Sequence, residues 1–225
     1  MKKILFNDKF GLTQAVLEGR NRQTRRIIKS SDAFERVNPD FDWNREDIKN
    51  WENSFTLTVQ NMSEEEKKNC FDYLLAHPKY KVGEVVAVAQ SYNDCGYKCF
   101  HYRDTDEFMY FVKDNKEISI RPAGVTNKMF VAPSLMPHQI HITNVRVERL
   151  QDISDECCLK EGIIKKWHAP ACKNYYYVPG VEIKSVKDVH DTPQEAFAHL
   201  INKVSRKDVW KENPYVFVYD FELVK

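Results

Sequence analysis

Apolar residues group into short stretches whose spacing changes from strand-like to helical along the chain. Residues 2–7 predict a first strand, and apolar positions then recur at helical spacing from Leu12 until Gly19, a residue suited to the turn that ends a helix. A basic segment follows at residues 20–29. The apolar, β-branched run at residues 85–90 predicts a buried strand.

Capping residues mark the start of three helices. Ser63 with Glu66, and Thr192 with Glu195, have the spacing of a capping box ahead of an apolar stripe. Ser154 is predicted to cap a shorter helix, which places acidic residues in its first turn. We therefore expect helices that begin directly after each of these caps.

The second half of the chain contains two long strand patterns. Residues 138–150 alternate, but their apolar parity changes near Thr143 and Asn144, so a β-bulge is predicted there. Residues 215–224 form the last strand, with a first half buried on both faces. Shorter strands are predicted at residues 97–102, 107–112 and 117–120.

These elements predict one α+β domain over residues 1–225. Several short strands with helices at their edges favour a small mixed β-barrel over a parallel sheet. Two segments, at about residues 30–79 and 164–191, interrupt the pattern and are interpreted as insertions. The second of them shows no regular period.

The composition excludes some classes of function but does not indicate a particular one. The 34 basic and 33 acidic residues nearly cancel, so any anion site must be local. Asp8 interrupts the first apolar run too early for a signal peptide, and no stretch approaches the length of a membrane span. We therefore predict a cytoplasmic protein with reduced cysteines and no membrane partner.

The basic segment is the main candidate site. It holds five cations without a local acid, namely Arg20, Arg22, Arg25, Arg26 and Lys29. Guanidinium groups match phosphate or carboxylate oxygens, and the polar side chains of Asn21, Gln23 and Thr24 suit base edges or ribose hydroxyls. On charge alone, a solvated turn or arginines paired with acids of the insertions is the more frequent outcome.

Three separated blocks carry a resemblance to a known family. LEGRNRQTRR, ITNVRVERLQDISDECCLKEGI and NPYVFVYDFEL resemble, in order, the ASCH family of small barrels related to PUA RNA-binding domains. The chain is most similar to uncharacterised ASCH proteins of bacterial chromosomes and prophages. The resemblance implies a PUA-like barrel with a basic cleft that faces RNA or a modified nucleoside. The implied contacts are Arg20, Asn21, Arg22, Thr24, Arg25 and Arg26.

The same resemblance raises an enzymatic alternative. An ASCH acetylcytidine amidohydrolase uses a lysine, a threonine and a glutamate, which correspond here to Asn21, Thr24 and Glu161. Amide hydrolysis needs a nucleophile and a proton acceptor, so Thr24 and Glu161 are the catalytic candidates if the chain is an enzyme. Asparagine cannot replace the lysine as a base, which favours binding over hydrolysis. A third alternative is a protein-interaction module with an inert cleft.

Two further patterns carry less weight. Cys95 with Cys99, and His168 with Cys172, are each spaced four apart, but this spacing is looser than in zinc knuckles and the pairs are distant in sequence. We predict no metal and no cofactor. Consecutive tyrosines at residues 175–177 suit either base stacking or an ordinary strand.

Overall fold

The fold is taken from a computed structural model of the chain. The residues that it describes are 1–28, 55–101, 109–113, 116–120, 122–185 and 188–224. Lys29 of the basic segment and residues 30–54 of the first predicted insertion lie outside the described residues.

A five-stranded sheet forms the centre of the molecule. Its strands, in spatial order, are β1 (Lys3–Ile4), β3 (Val85–Val88), β7 (Gln139–Arg149), β10 (Tyr215–Leu223) and β2 (Gln23–Ile27). The pair β1–β3 is parallel, and the other three pairs are antiparallel. The basic segment therefore forms an edge strand, β2, next to the strand that ends the fold.

The remaining strands form two smaller sheets. β4 (Lys98–His101), β5 (Met109–Lys113) and β6 (Lys116–Ile120) pair consecutively, and β8 (Ile164–His168) pairs with β9 (Lys173–Tyr177) as a hairpin. The hairpin lies in the segment for which the sequence predicted no regular structure. Its cross-strand pairs combine lysines with tyrosines, which do not produce an apolar alternation.

The predicted PUA-like β-barrel is wrong. Within the described part of the chain no sheet closes on itself, because β1 and β2 remain the two edges of the five-stranded sheet. The Arg26 guanidinium of β2 donates to the carbonyl of Leu5, the residue after β1, over 2.5 Å. Alternation identified the strands correctly but does not specify their partners, and β4–β6 and β8–β9 pair among themselves instead of extending the central sheet.

Helices cover both faces of this sheet. α1 (Leu12–Leu17), α2 (Phe55–Gln60) and α3 (Glu64–Ala76) contribute to a core on one face, with Tyr219 and Phe221 of β10. α4 (Asp155–Lys160), α5 (Pro193–Ser205) and α6 (Val209–Glu212) pack on the other face, with Val216 and Val218. The first half of β10 is thus buried on both sides, as predicted.

The local predictions are largely confirmed. Both capping boxes are present, at Ser63 and at Thr192, and Ser154 accepts a hydrogen bond from the Cys157 amide at the start of α4. The bulge in β7 also forms, because Asn144 pairs with Asp220 and Ile142 with Phe221. Residue 143 is the extra position that restores one inward face.

Candidate functional site

The strand β2 sends its arginines to opposite faces of the sheet. Side chains alternate along a strand, so Gln23 and Arg25 share one face while Thr24 and Arg26 share the other. Arg25 accordingly lies over the Phe197 ring, at 6.0 Å from its centroid, and Arg26 lies over the Phe6 ring, at 5.7 Å. The basic segment therefore does not present one continuous basic surface.

Arg25 is a buried cation held by carboxylates. Its side chain is 1% exposed, and its terminal nitrogens donate to Glu161 over 2.9 Å, to Glu148 over 3.1 Å and to the Gln23 side-chain oxygen over 2.7 Å. The remaining Nε is buried without a partner. Charge-assisted bonds of this kind fix the guanidinium in one orientation.

Glu161 reaches Arg25 from the end of α4. It is the C-cap residue of that helix, and its carbonyl accepts a hydrogen bond of 3.0 Å from the Asn21 side-chain amide. Gly162 follows with a φ of 101°, a left-handed conformation that glycine adopts without strain and that turns the chain towards β8. Asn21, which the resemblance aligned with a catalytic lysine, thus anchors the loop that carries Glu161.

Burial changes the ionisation of Glu161. Loss of solvent raises its pKa to about 7, although the positive charge of Arg25 opposes this shift. Asp220 also raises the pKa, because it adds a further negative charge to the surroundings. A carboxyl group with a pKa near neutrality exchanges protons readily, which is the property required of a general acid or base.

A polar network connects this buried pair to the protein surface. Arg146 bonds both Glu148 and Asp220, and Asp220 in turn accepts hydrogen bonds from Gln23 and from Asn144. The side chains of Arg146, Glu148 and Asp220 are between 25% and 29% exposed. Solvent therefore reaches the outer part of the network, which we call the Glu161 network. Its members are Gln23, Arg25, Asn144, Arg146, Glu148, Glu161 and Asp220.

The charges of the Glu161 network balance only if one carboxyl is protonated. Arg25 and Arg146 supply two cations, whereas Glu148, Glu161 and Asp220 supply three carboxyl groups. Glu161 is the most deeply buried of the three, and this burial favours the protonated form of its carboxyl group.

The structure brings only some of the predicted contact residues together. Arg25 and Glu161 meet directly, and Asn21 supports them. Thr24 lies on the opposite face of β2, paired with Tyr219, so it does not share a surface with the Arg25–Glu161 pair.

The other arginines of the segment have separate environments. Arg20 is exposed and pairs with Glu18, and Arg22 is exposed and bonds the Gly19 carbonyl. Arg26 is partly buried, and desolvation lowers its pKa. Arginines paired with acids were one of the two outcomes expected from charge alone. Arg25 is paired with acids in this way, but the acids lie on β7 and at the end of α4 instead of in the insertions.

Sequence reasoning missed the outer members of the Glu161 network. Arg146 and Glu148 alternate with valines on β7, which is the pattern of any strand with one solvent-facing side. The register with β10 places Arg146 opposite Val218 and Asn144 opposite Asp220. This register, which the sequence does not show, brings Arg146 and Glu148 into the same polar network as Arg25.

Metal ligation and membrane insertion receive no structural support among the described residues. No three histidine, cysteine, aspartate or glutamate side chains of that part of the chain come together as ligands. Of the cysteines considered for zinc, Cys95 is buried and Cys172 is exposed, while the side chain of Cys99 lies outside the described residues. The described helices are all too short or too polar to span a bilayer.

Comparison with known proteins did not identify relatives. No family model, no curated protein and no solved structure matches the chain. The similarity to ASCH proteins therefore rests on the sequence blocks themselves and stays a prediction.

The raised pKa of Glu161 predicts a specific pH dependence of stability. Between its ordinary value of 4.5 and about 7, the folded protein keeps a proton that the unfolded chain releases. The free energy of unfolding should therefore fall as the pH rises through this window, by on the order of 3 kcal/mol from this group. Glu161→Gln mimics the protonated acid and should lack this component.

Urea unfolding of both proteins at several pH values between these limits measures the difference directly. As the pH rises, the free energy of unfolding of the wild type should decline more than that of Glu161→Gln. This difference between the two proteins should reach its full size above pH 7. Parallel pH profiles for the two proteins would show that Glu161 has an ordinary pKa.

Proposed function

We propose that the chain binds a nucleoside, either free or as a unit of RNA, at the Glu161 network. The observation that carries this proposal is the buried Arg25–Glu161 pair, which continues through hydrogen bonds to partly exposed polar groups on β7 and β10. Buried ionisable groups with a raised pKa are concentrated at functional sites in proteins.

The chemistry of the network suits a nucleobase. Carboxylates such as Asp220 and Glu148 accept hydrogen bonds from exocyclic amines, while Arg146 and the Asn144 amide donate to ring nitrogens and carbonyl oxygens. Asn144 is exposed and the other three are partly exposed, so these donors and acceptors are the part of the network that a ligand reaches first. A flat heterocycle with alternating donors and acceptors matches this arrangement.

Charge favours a nucleoside over a polyphosphate at this position. The two arginines of the network are already engaged by carboxylates, so they offer no excess positive charge. Arg22 is an exposed cation close to the network, since its backbone amide bonds the carbonyl of Lys160, the residue before Glu161. Arg22 is therefore the residue that we assign to a phosphate or ribose group attached to the bound base.

The sequence resemblance supports the same location. In the ASCH pattern, the basic segment and the glutamate that corresponds to Glu161 face a common ligand. Here Arg25 of that segment contacts Glu161 over 2.9 Å, although the two are 136 residues apart in sequence.

Calorimetric titration with cytidine, acetylcytidine and the other ribonucleosides tests the proposal. Above pH 7, where Glu161 is ionised, wild-type protein should bind at least one of them, and Glu161→Gln should weaken that affinity about 10-fold or more, the usual effect of losing a charged hydrogen-bond partner. Glu156→Gln is the matched control, because Glu156 lies on the same helix but is exposed.

The control variant should bind like the wild type. An absence of binding to every nucleoside, or equal weakening by Glu156→Gln and Glu161→Gln, would contradict the proposal.

Hydrolysis of an acylated nucleoside is the second candidate function, and the pKa of about 7 of Glu161 is the observation that favours it. In this reaction Glu161 accepts a proton from water while the hydroxyl oxygen bonds the acyl carbon. Arg25 stabilises the resulting oxyanion, and Glu161 then returns the proton to the leaving amine as the C–N bond breaks. Thr24 lies on the opposite face of β2, so water, instead of this hydroxyl, is the nucleophile in our proposal.

Incubation with acetylcytidine and quantification of released cytidine tests the second candidate. Turnover should rise with pH through about 7 as Glu161 loses its proton, because a base must be deprotonated to act. Glu161→Gln should lower the rate by about 10²- to 10⁴-fold, whereas Thr24→Val should retain it. A protein that binds acetylcytidine but never releases cytidine is not a hydrolase.

A further inference from the structure

A groove lies beside the β8–β9 hairpin, apart from the Glu161 network. Its volume is about 510 Å³, within the range of about 300–1,000 Å³ typical of ligand sites. One wall consists of His168, Lys173 and Tyr175 of the hairpin, and the other includes His190, Asp191 and Glu195 near the start of α5. We call this the hairpin groove.

The register of the hairpin decides which side chains face the groove. Cross-strand partners share a face, so the pairs His168–Lys173 and Lys166–Tyr175 lie on the groove side. The pairs Trp167–Asn174 and Lys165–Tyr176 lie on the other side. Adjacent residues of the same type, Lys165 and Lys166, are therefore divided between the two faces, and both are exposed.

The hairpin combines aromatic rings with positive charge. Residues 164–177 contain three lysines and no acidic residue, together with Trp167, His168 and three consecutive tyrosines. On the groove side the rings of His168 and Tyr175 meet edge to face with centroids 6.1 Å apart, and Tyr177 follows Tyr175 at 6.0 Å. Aromatic rings next to lysines form the stacking platforms on which proteins bind single-stranded nucleic acids.

The opposite wall has acids that are already engaged. Asp191 pairs with Lys173 over 2.6 Å, and Glu195 accepts the backbone amides of residues 191 and 192 as part of the capping box. Carboxylate oxygens at this wall suit the amino groups of a base and repel phosphate. A nucleic acid strand therefore fits with a base inside the groove and its phosphates along the exposed lysine of the hairpin face.

We infer that the hairpin groove binds a single-stranded nucleic acid, with one base stacked on Tyr175 and the adjoining phosphate at Lys166. This inference does not depend on nucleoside binding at the Glu161 network. The two sites are close in sequence, because β8 begins three residues after Glu161.

Fluorescence anisotropy with short labelled oligouridylate and oligodeoxythymidylate, at several salt concentrations, tests the inference. Tyr175→Ala should weaken binding about 5- to 100-fold, the cost of losing one stacked base, while Tyr175→Phe should retain it. Trp167→Ala is the control for the opposite face of the hairpin and should leave the affinity unchanged.

The lysine pair provides a second, independent comparison. Lys166→Ser should reduce the slope of log affinity against log salt by about 0.7, the value for one phosphate contact on a single strand, and Lys165→Ser should not. Glu161→Gln should still bind the oligonucleotide in the hairpin groove, which separates this result from a failure of the nucleoside proposal. Undetectable binding of both oligouridylate and oligodeoxythymidylate would overturn the inference. Equal effects of Tyr175→Ala and Trp167→Ala, or of Lys166→Ser and Lys165→Ser, would overturn it as well.

Discussion

The buried hydrogen bond between Arg25 and Glu161 is the interaction on which the arrangement of the site depends. It joins an edge strand near the start of the chain to the end of a helix 136 residues later, and both partners are almost fully buried. Removal of Arg25 leaves the buried Glu161 carboxyl without its charged hydrogen-bond donor, and a buried polar group that loses its partner costs about 1–3 kcal/mol. The position of β2, the exit of α4 and the polar network of β7 and β10 are all tied to this contact.

The Arg25–Glu161 contact changes how the basic segment is interpreted. Five cations in ten residues indicate an anion site, yet alternation along β2 sends Arg25 and Arg26 to opposite faces of the sheet. Arg25 is neutralised by carboxylates, and Arg26 spans the gap between the two edge strands. The resulting site is a nearly charge-balanced polar network, which favours a hydrogen-bonding base over a phosphate backbone.

Local features of the fold were predictable from the sequence because neighbouring residues determine them. Ser63 and Thr192 cap helices through residues three positions away, and the bulge in β7 follows from a parity change within one strand. Strand pairing is different in kind. It depends on contacts between distant segments, so neither the open sheet nor the β8–β9 hairpin followed from periodicity.

The candidate site was predictable only in part for the same reason. The sequence resemblance selected Glu161, and the charge pattern selected the segment that contains Arg25. Neither pattern indicated that Arg25 and Glu161 contact each other. Arg146, Glu148 and Asp220 could be assigned to the site only once the register of β7 with β10 was known. The separation of Thr24 from Glu161 likewise follows from the alternation of β2 once Arg25 is known to contact Glu161.

The central claim is that Glu161 is a buried carboxyl group that is protonated near neutral pH beside Arg25. Carbon-13 NMR of protein labelled at glutamate side-chain carboxyl groups measures this directly, with Glu161→Gln identifying the resonance by its loss. The structure predicts a titration midpoint of about 7 for this resonance. A midpoint at or below the ordinary glutamate value of 4.5 would contradict the account.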